Sequence, residues 1–186
     1  MQWNIPGTVI TTTSEETPYL EEKFKSMFLA GGMVLSQVTA VTGLEPYTVQ
    51  NWVKRGFLTP PVQKRYTLRQ LCRIIIINML KDALVMEDIV GLLQYINGNL
   101  SDESDDLIDD TKLYFLFVRL AAYHRKMNDP RGRDAYLEEL MAGYQEPVPG
   151  AKERVEKVLR IMLTAWAAAQ LKQAAQKMVT SLKEEV

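Results

Sequence analysis

Tyr47, Thr48, Gln50, Asn51, Lys54 and Arg55 crowd into nine positions whose other members, Val49, Trp52 and Val53, are apolar. At helical spacing the polar groups collect on one side and the apolar groups on the other. Amides and hydroxyls can pair with base edges in a DNA groove, while lysine and arginine neutralise phosphates. Tyr47, Thr48, Gln50 and Asn51 are therefore candidate base contacts. Ser36, Lys54, Arg55, Lys64, Arg65, Tyr66, Arg69 and Arg73 supply the hydroxyls and charges expected of phosphate contacts. Between Met33 and Arg73 stand six basic residues and one acid, Glu45, in a chain of formal net charge −1. Concentrating charge in this way is what binding a polyanion requires.

These side chains need elements to hold them. Val34, Leu35, Val38 and Val41 recur at spacings of three and four, predicting a short amphipathic helix that Gly43 ends. Pro46 suits the first turn of a second helix over 45–55, with Val49, Trp52 and Val53 inward and Gly56 as its stop. Thr59 to Thr67 contains two prolines and a Gln63-Lys64-Arg65 tip, which predicts a short basic hairpin, or wing. Thr67 caps a third helix with Leu68, Leu71, Cys72, Ile75, Ile76, Met79 and Leu80 on its apolar side. A fourth helix, from Met86 to Ile96, turns Ile89, Leu92, Leu93 and Ile96 inward. Helix, turn, helix, wing and supporting helices in this order describe a winged helix-turn-helix.

The stretch resembles the DNA-binding head of the MerR superfamily. The resemblance rests on Leu35-Ser36-Gln37-Val38, Thr42-Gly43-Leu44, Thr48-Val49, Gly56-Phe57-Leu58-Thr59-Pro60-Pro61, Arg65-Tyr66-Thr67 with Leu71, and Val85-Met86-Glu87-Asp88-Ile89. Order and spacing agree over some sixty positions, about a third of the chain. The wing is shorter than the family's, and Gln50 and Asn51 stand where the family tends to have Arg and Tyr. The whole chain is also similar to a bacterial domain-of-unknown-function family with a MerR-like head and an all-helical tail. What the resemblance implies is a transcriptional regulator that reads a two-fold site in double-stranded DNA as a dimer.

The expected fold class is all-α, with the head's small β-wing and a C-terminal helical bundle or long helix. Residues 1–32 are expected to form an arm and a docking helix over 18–30, and 33–98 the head. Residues 99–110, with six acids and no base between Ser101 and Asp110, read as a solvated linker whose charges complement the next helix dipole. A calcium loop is not expected, because the turn glycine and the terminal glutamate in register are missing. Residues 111–186 read as a dimerisation region: a helix over 111–126 that is apolar on nearly every side, a break at 128–132, a short helix over 134–144 and a long one over 151–183. The 111–126 and 151–183 helices are the candidate homodimer contacts.

No constellation for catalysis stands out, and an enzyme is not expected. His124 is the one histidine and Cys72 the one cysteine, far apart in sequence. That excludes a disulfide framework, offers no metal site and fits a reducing cytoplasm. No cofactor motif is present: Gly31-Gly32 reads as a helix stop. No segment has the length and apolarity to span a bilayer, and the first thirteen residues lack the pattern of a secretory signal. Tyr114, Phe115, Phe117, Tyr123, Met162 and Trp166 could line a pocket for a small apolar effector, or be ordinary core. Two further readings stay open: an interaction module whose head has lost DNA binding, and an architectural or excisionase-like DNA binder.

Overall fold

A computed structural model of the chain describes residues 2–127 and 129–184. Asn128, part of the expected break, lies outside them. The described residues form eight α-helices and two small two-stranded sheets, so the protein is mostly helical.

The N-terminal residues are not an extended arm. β1 (Gln2–Asn4) pairs antiparallel with β2 (Thr11–Thr13), Trp3 facing Thr12. Trp3 and Ile5 are buried. Between the strands the chain lies directly on a helix, so a Cβ on Gly7 would stand 2.5 Å from the Ile75 carbonyl oxygen. A single 3-10 turn, Thr17–Tyr19, leads into α1 (Leu20–Met27), which buries Leu20 and Phe24 and is shorter than expected at both ends.

β3 (Met33–Val34) precedes α2 (Leu35–Thr42), and Gln37 Oε1 accepts the Val34 N–H at 3.0 Å, satisfying a donor at the helix start. Gly43 ends α2 in the left-handed conformation (φ 69°). α3 (Pro46–Lys54) follows after two residues, with Val49 and Trp52 buried. β4 (Arg65–Tyr66) pairs antiparallel with β3, Val34 opposite Arg65. α4 (Leu68–Leu80) begins at the expected cap: Thr67 Oγ1 accepts the Gln70 N–H at 3.2 Å, and Gln70 Oε1 accepts the Thr67 N–H at 2.8 Å. α5 (Met86–Asn97) buries Ile89, Leu93 and Ile96, as their spacing predicts.

The acidic stretch is solvated only in part, with Ser101 to Asp105 exposed. Leu100, Leu107, Ile108 and Asp110 within it are buried, and it leads without a gap into α6 (Asp110–Met127). α6 packs on α4, and most of its apolar side chains are buried within this chain. One apolar core therefore runs from Val38 and Trp52 through α4 to α6 and beyond, so head and tail share a single interior. α7 (Pro130–Leu140) starts four residues before its expected position, because the Asp129 carboxylate caps the Arg131 and Gly132 N–H groups.

α8 (Ala151–Glu184) divides into two parts. Val155, Val158, Leu159, Met162, Leu163 and Trp166 are buried against α4, α5 and α6. Beyond Ala169 every described side chain is exposed, Leu171 at 73% and Met178 at 69% among them. Only Lys172 and Gln173, which reach the carbonyl and carboxylate of Asp82, tie this outer part to the body among the described residues. No described helix is long and apolar enough to cross a membrane.

Candidate nucleic-acid interface

α3 presents two opposed faces. Val49 and Trp52 seal one into the core. Tyr47, Gln50, Asn51 and Lys54 emerge on the other, with Tyr47 70% exposed and Thr48 half-buried beside it. None of the side chains of Tyr47, Gln50, Asn51 or Lys54 has a hydrogen-bond or ion-pair partner within the chain among the described residues. The spacing alone was sufficient to place these groups together, since a helix of nine residues has only one way to bury Val49 and Trp52.

Arg55 follows at the end of α3. Its guanidinium lies 4.6 Å from the centre of the Phe57 ring and 3.9 Å from the Glu87 carboxylate at the start of α5. Stacking on the ring fixes the group while its outer edge stays in solvent. Ser36 is exposed in the first turn of α2.

The wing is reduced to a turn. Val62 and Arg65 pair across Gln63 and Lys64, both of which have positive φ (48° and 61°). Two left-handed residues between paired strands make the type I′ geometry that matches strand twist. Lys64 thereby stands exposed at the tip. Arg65 is also exposed, though its Nη1 donates to the Gly32 carbonyl at 3.0 Å. The base of this loop is held from α4: Gln70 Nε2 donates to the carbonyl and hydroxyl oxygens of Thr59, both at 2.9 Å, and to the Pro60 carbonyl at 3.2 Å. Gln70 was not singled out in the sequence, where it looks like any helix amide.

Three expected phosphate contacts are corrected. Tyr66 alternates with Arg65 on a strand and turns inward, 3% exposed. Arg73 is 6% exposed: its Nη2 lies 2.8 Å from Asp110 Oδ2, its Nε donates to the same oxygen at 3.0 Å, and its Nη1 donates to the Leu100 carbonyl at 2.6 Å. Arg69 faces a ring of carboxylates, Glu103 at 2.9 Å, Asp110 at 3.3 Å and Asp109 at 3.5 Å, with Asp106 also in contact. The acidic stretch consumes both arginines from inside the molecule, so neither charge is offered to a partner. Burial pushes the Asp110 carboxyl above the usual range, and the Arg73 and Arg69 guanidiniums pull against it.

Four candidate cations remain on the surface: Lys54, Arg55, Lys64 and Arg65. The pairing of β3 with β4 brings Arg65 opposite Val34, two residues before Ser36, so the wing and the start of α2 are neighbours.

Elsewhere, Cys72 is fully buried, and burial pushes its thiol well above the ordinary range, which makes it inert. Among the described residues no group of His, Cys, Asp and Glu could hold a metal ion. Of the aromatic residues suggested as a ligand pocket, Tyr114, Phe115 and Phe117 belong to the core, while Trp166 and Tyr123 each border a cleft. Tyr114 and Phe115 pack edge to face, Phe117 packs on Trp166, and all four are buried. Tyr123 stacks on Tyr136 at 4.5 Å.

Fold and surface together define a mostly helical protein whose short polar helix and basic turn project from a continuous core. The chain belongs to the family described as "Domain of unknown function (DUF1836)", whose model matches residues 15–117. The match takes in α1 to α5, the acidic stretch and α6 as far as Phe117, and leaves out the N-terminal hairpin, α7 and α8. The chain is also similar to "Uncharacterized protein YkrK" of Bacillus subtilis (strain 168), 29% identical over 112 residues. The alignment covers 57% of this chain and 47% of that protein, so the chain spans about half the length of the curated relative it matches. No solved structure matches it.

Proposed function

We propose that the protein is a DNA-binding transcriptional regulator whose α2–α3 unit and short wing act as a MerR-like winged helix-turn-helix. α3 enters the major groove, where the Gln50 and Asn51 amides pair with base edges and Tyr47 and Thr48 flank them. Lys54, Arg55, Lys64 and Arg65, with the Ser36 hydroxyl, contact phosphates. The observation that supports this reading is the outward face of α3, where Tyr47, Gln50, Asn51 and Lys54 are exposed and unengaged while its other face is locked in the core.

A single head covers a small surface, and useful affinity requires two on a two-fold site. The outer part of α8, with Leu171, Met178 and Leu182 exposed, is the element available for a dimer contact. α6 is not.

Selection from random duplexes, followed by a salt titration, tests the proposal. Each phosphate contact contributes roughly −0.9 to the slope of log affinity against log salt. Four cations per head predict about −3.6 per head, against about −5.4 had all six taken part. Alanine at Gln50 and Asn51 relaxes sequence preference, whereas alanine at Lys64 and Arg65 weakens every duplex alike. A flat salt response overturns the reading. It would favour the second one, a protein-interaction module, which the internal neutralisation of Arg69 and Arg73 also supports.

A further inference from the structure

A cleft of about 590 Å³ lies between the N-terminal hairpin, the end of α4, α6 and α8. Trp3 and Trp166, both nearly buried, contribute to its walls. Lys81, Arg125 and Lys177 also line it, each from a different element. They are far apart in sequence, and none has an ion-pair partner among the described residues. Asp82 is the one carboxylate among the lining residues, and Gln173 Nε2 already donates to it at 3.3 Å. The Arg125 guanidinium is held over the Trp3 ring, 4.9 Å from its centre, which fixes its direction at the cleft.

Three cations without ion-pair partners thus stand around one concavity that holds a single carboxylate. Asp82 offsets one of these three charges, and a concave wall focuses the field of the remainder on whatever enters. We propose that this cleft binds a small organic polyanion, a compound carrying two or more carboxylate or phosphate groups on a short frame. Arg125 provides the bidentate contact, Lys81 and Lys177 act as point charges, and the tryptophans bound the frame. The site joins the body to the outer part of α8 through Lys177, so an occupant draws that part toward the core. Nothing in this depends on DNA binding.

Citrate and inorganic pyrophosphate serve as probes of the intact protein, with sodium chloride at matched ionic strength as the reference. The readouts are tryptophan fluorescence and the thermal midpoint; Trp52, in the core of the head, supplies a constant background. A saturable change and a raised midpoint with either probe, absent with chloride, is the expected result. Arg125→Gln and Lys177→Gln should each weaken binding about tenfold, the cost of one charged hydrogen bond. Lys112→Gln, outside the cleft, should leave it unchanged. Should Arg125→Gln fail to fold, Lys177→Gln, on the exposed outer part of α8, decides alone. The proposal is overturned if neither probe saturates, if chloride reproduces the response, if the cleft variants bind as the parent does, or if Lys112→Gln loses as much as they do.

Discussion

Arg73 and Asp110 form a buried ion pair at 2.8 Å that ties α4 to the first residue of α6. The two residues are 37 positions apart, and the carboxylate oxygen they share also meets Arg69. Removing one member leaves the other charged in a low-dielectric interior. Arg73→Leu should therefore cost about 3–5 kcal/mol of stability. The double variant Arg73→Leu/Asp110→Leu should recover much of that loss, because two apolar groups leave no orphan. Denaturant unfolding of the parent, both single variants and the double measures the coupling; additive losses would contradict it.

The wing tip carries a built-in penalty. Gln63 and Lys64 both occupy the left-handed region, which costs side chains with a Cβ roughly 1–2 kcal/mol each. Gln63→Asn and Lys64→Gly, the residues that a type I′ turn prefers, should together raise stability by about 1 kcal/mol. Under the proposed DNA-binding reading, Lys64→Gly should at the same time weaken binding to any duplex. Opposite signs in the melt and the binding assay are the expected pattern.

Gly7 and Gly56 provide a matched contrast, both left-handed (φ +74° and +77°). A Cβ at Gly56 meets open space, so Gly56→Ala should cost only the backbone term, about 1 kcal/mol. At Gly7 the same atom meets the Ile75 carbonyl, and Gly7→Ala should cost about 3 kcal/mol or more. Equal losses from the two would mean that the hairpin does not lie on α4.

His124 makes stability fall in mild acid. Burial, and then the neighbouring charge of Arg133, lowers its pKa below the ordinary 6.5, so the folded state holds the proton less tightly than the unfolded one. Its contribution is intact above about pH 6.5 and is lost as the pH drops through that value toward the lower, folded-state pKa. The difference in melting temperature between the parent and His124→Gln should change across that window and level off above it.

Local signals carried well. The period of Val38, Val41, Val49 and Trp52, the glycine after Thr42 and the Thr67–Gln70 cap all act within a turn or two of helix, and each stands where its spacing puts it. What failed were partners far away in the chain. Six acids within nine positions look solvated until two arginines about 30 to 40 positions earlier fold against them. The same distance misled the reading of the arginines, since a helix face alone does not tell a phosphate contact from a buried pair. The N-terminal strands have three residues each and a run of threonines, too short for alternation to register. Their pairing is set by burial of Trp3 and Ile5, which a local pattern does not contain.

The Tyr114 hydroxyl donates to the Pro6 carbonyl at 2.9 Å across 108 positions, and Asn78 Nδ2 reaches the Gly7 carbonyl across 71. As the polypeptide leaves the ribosome, Pro6 and Gly7 must wait for α4 and then for α6 before they have anything to settle on. The N-terminal hairpin is thus seated only after much of the rest has been made. Such late closure slows folding and leaves apolar surface open in the interval. A truncation that stops before Tyr114 should accordingly emerge as an aggregation-prone fragment, not as a smaller folded unit.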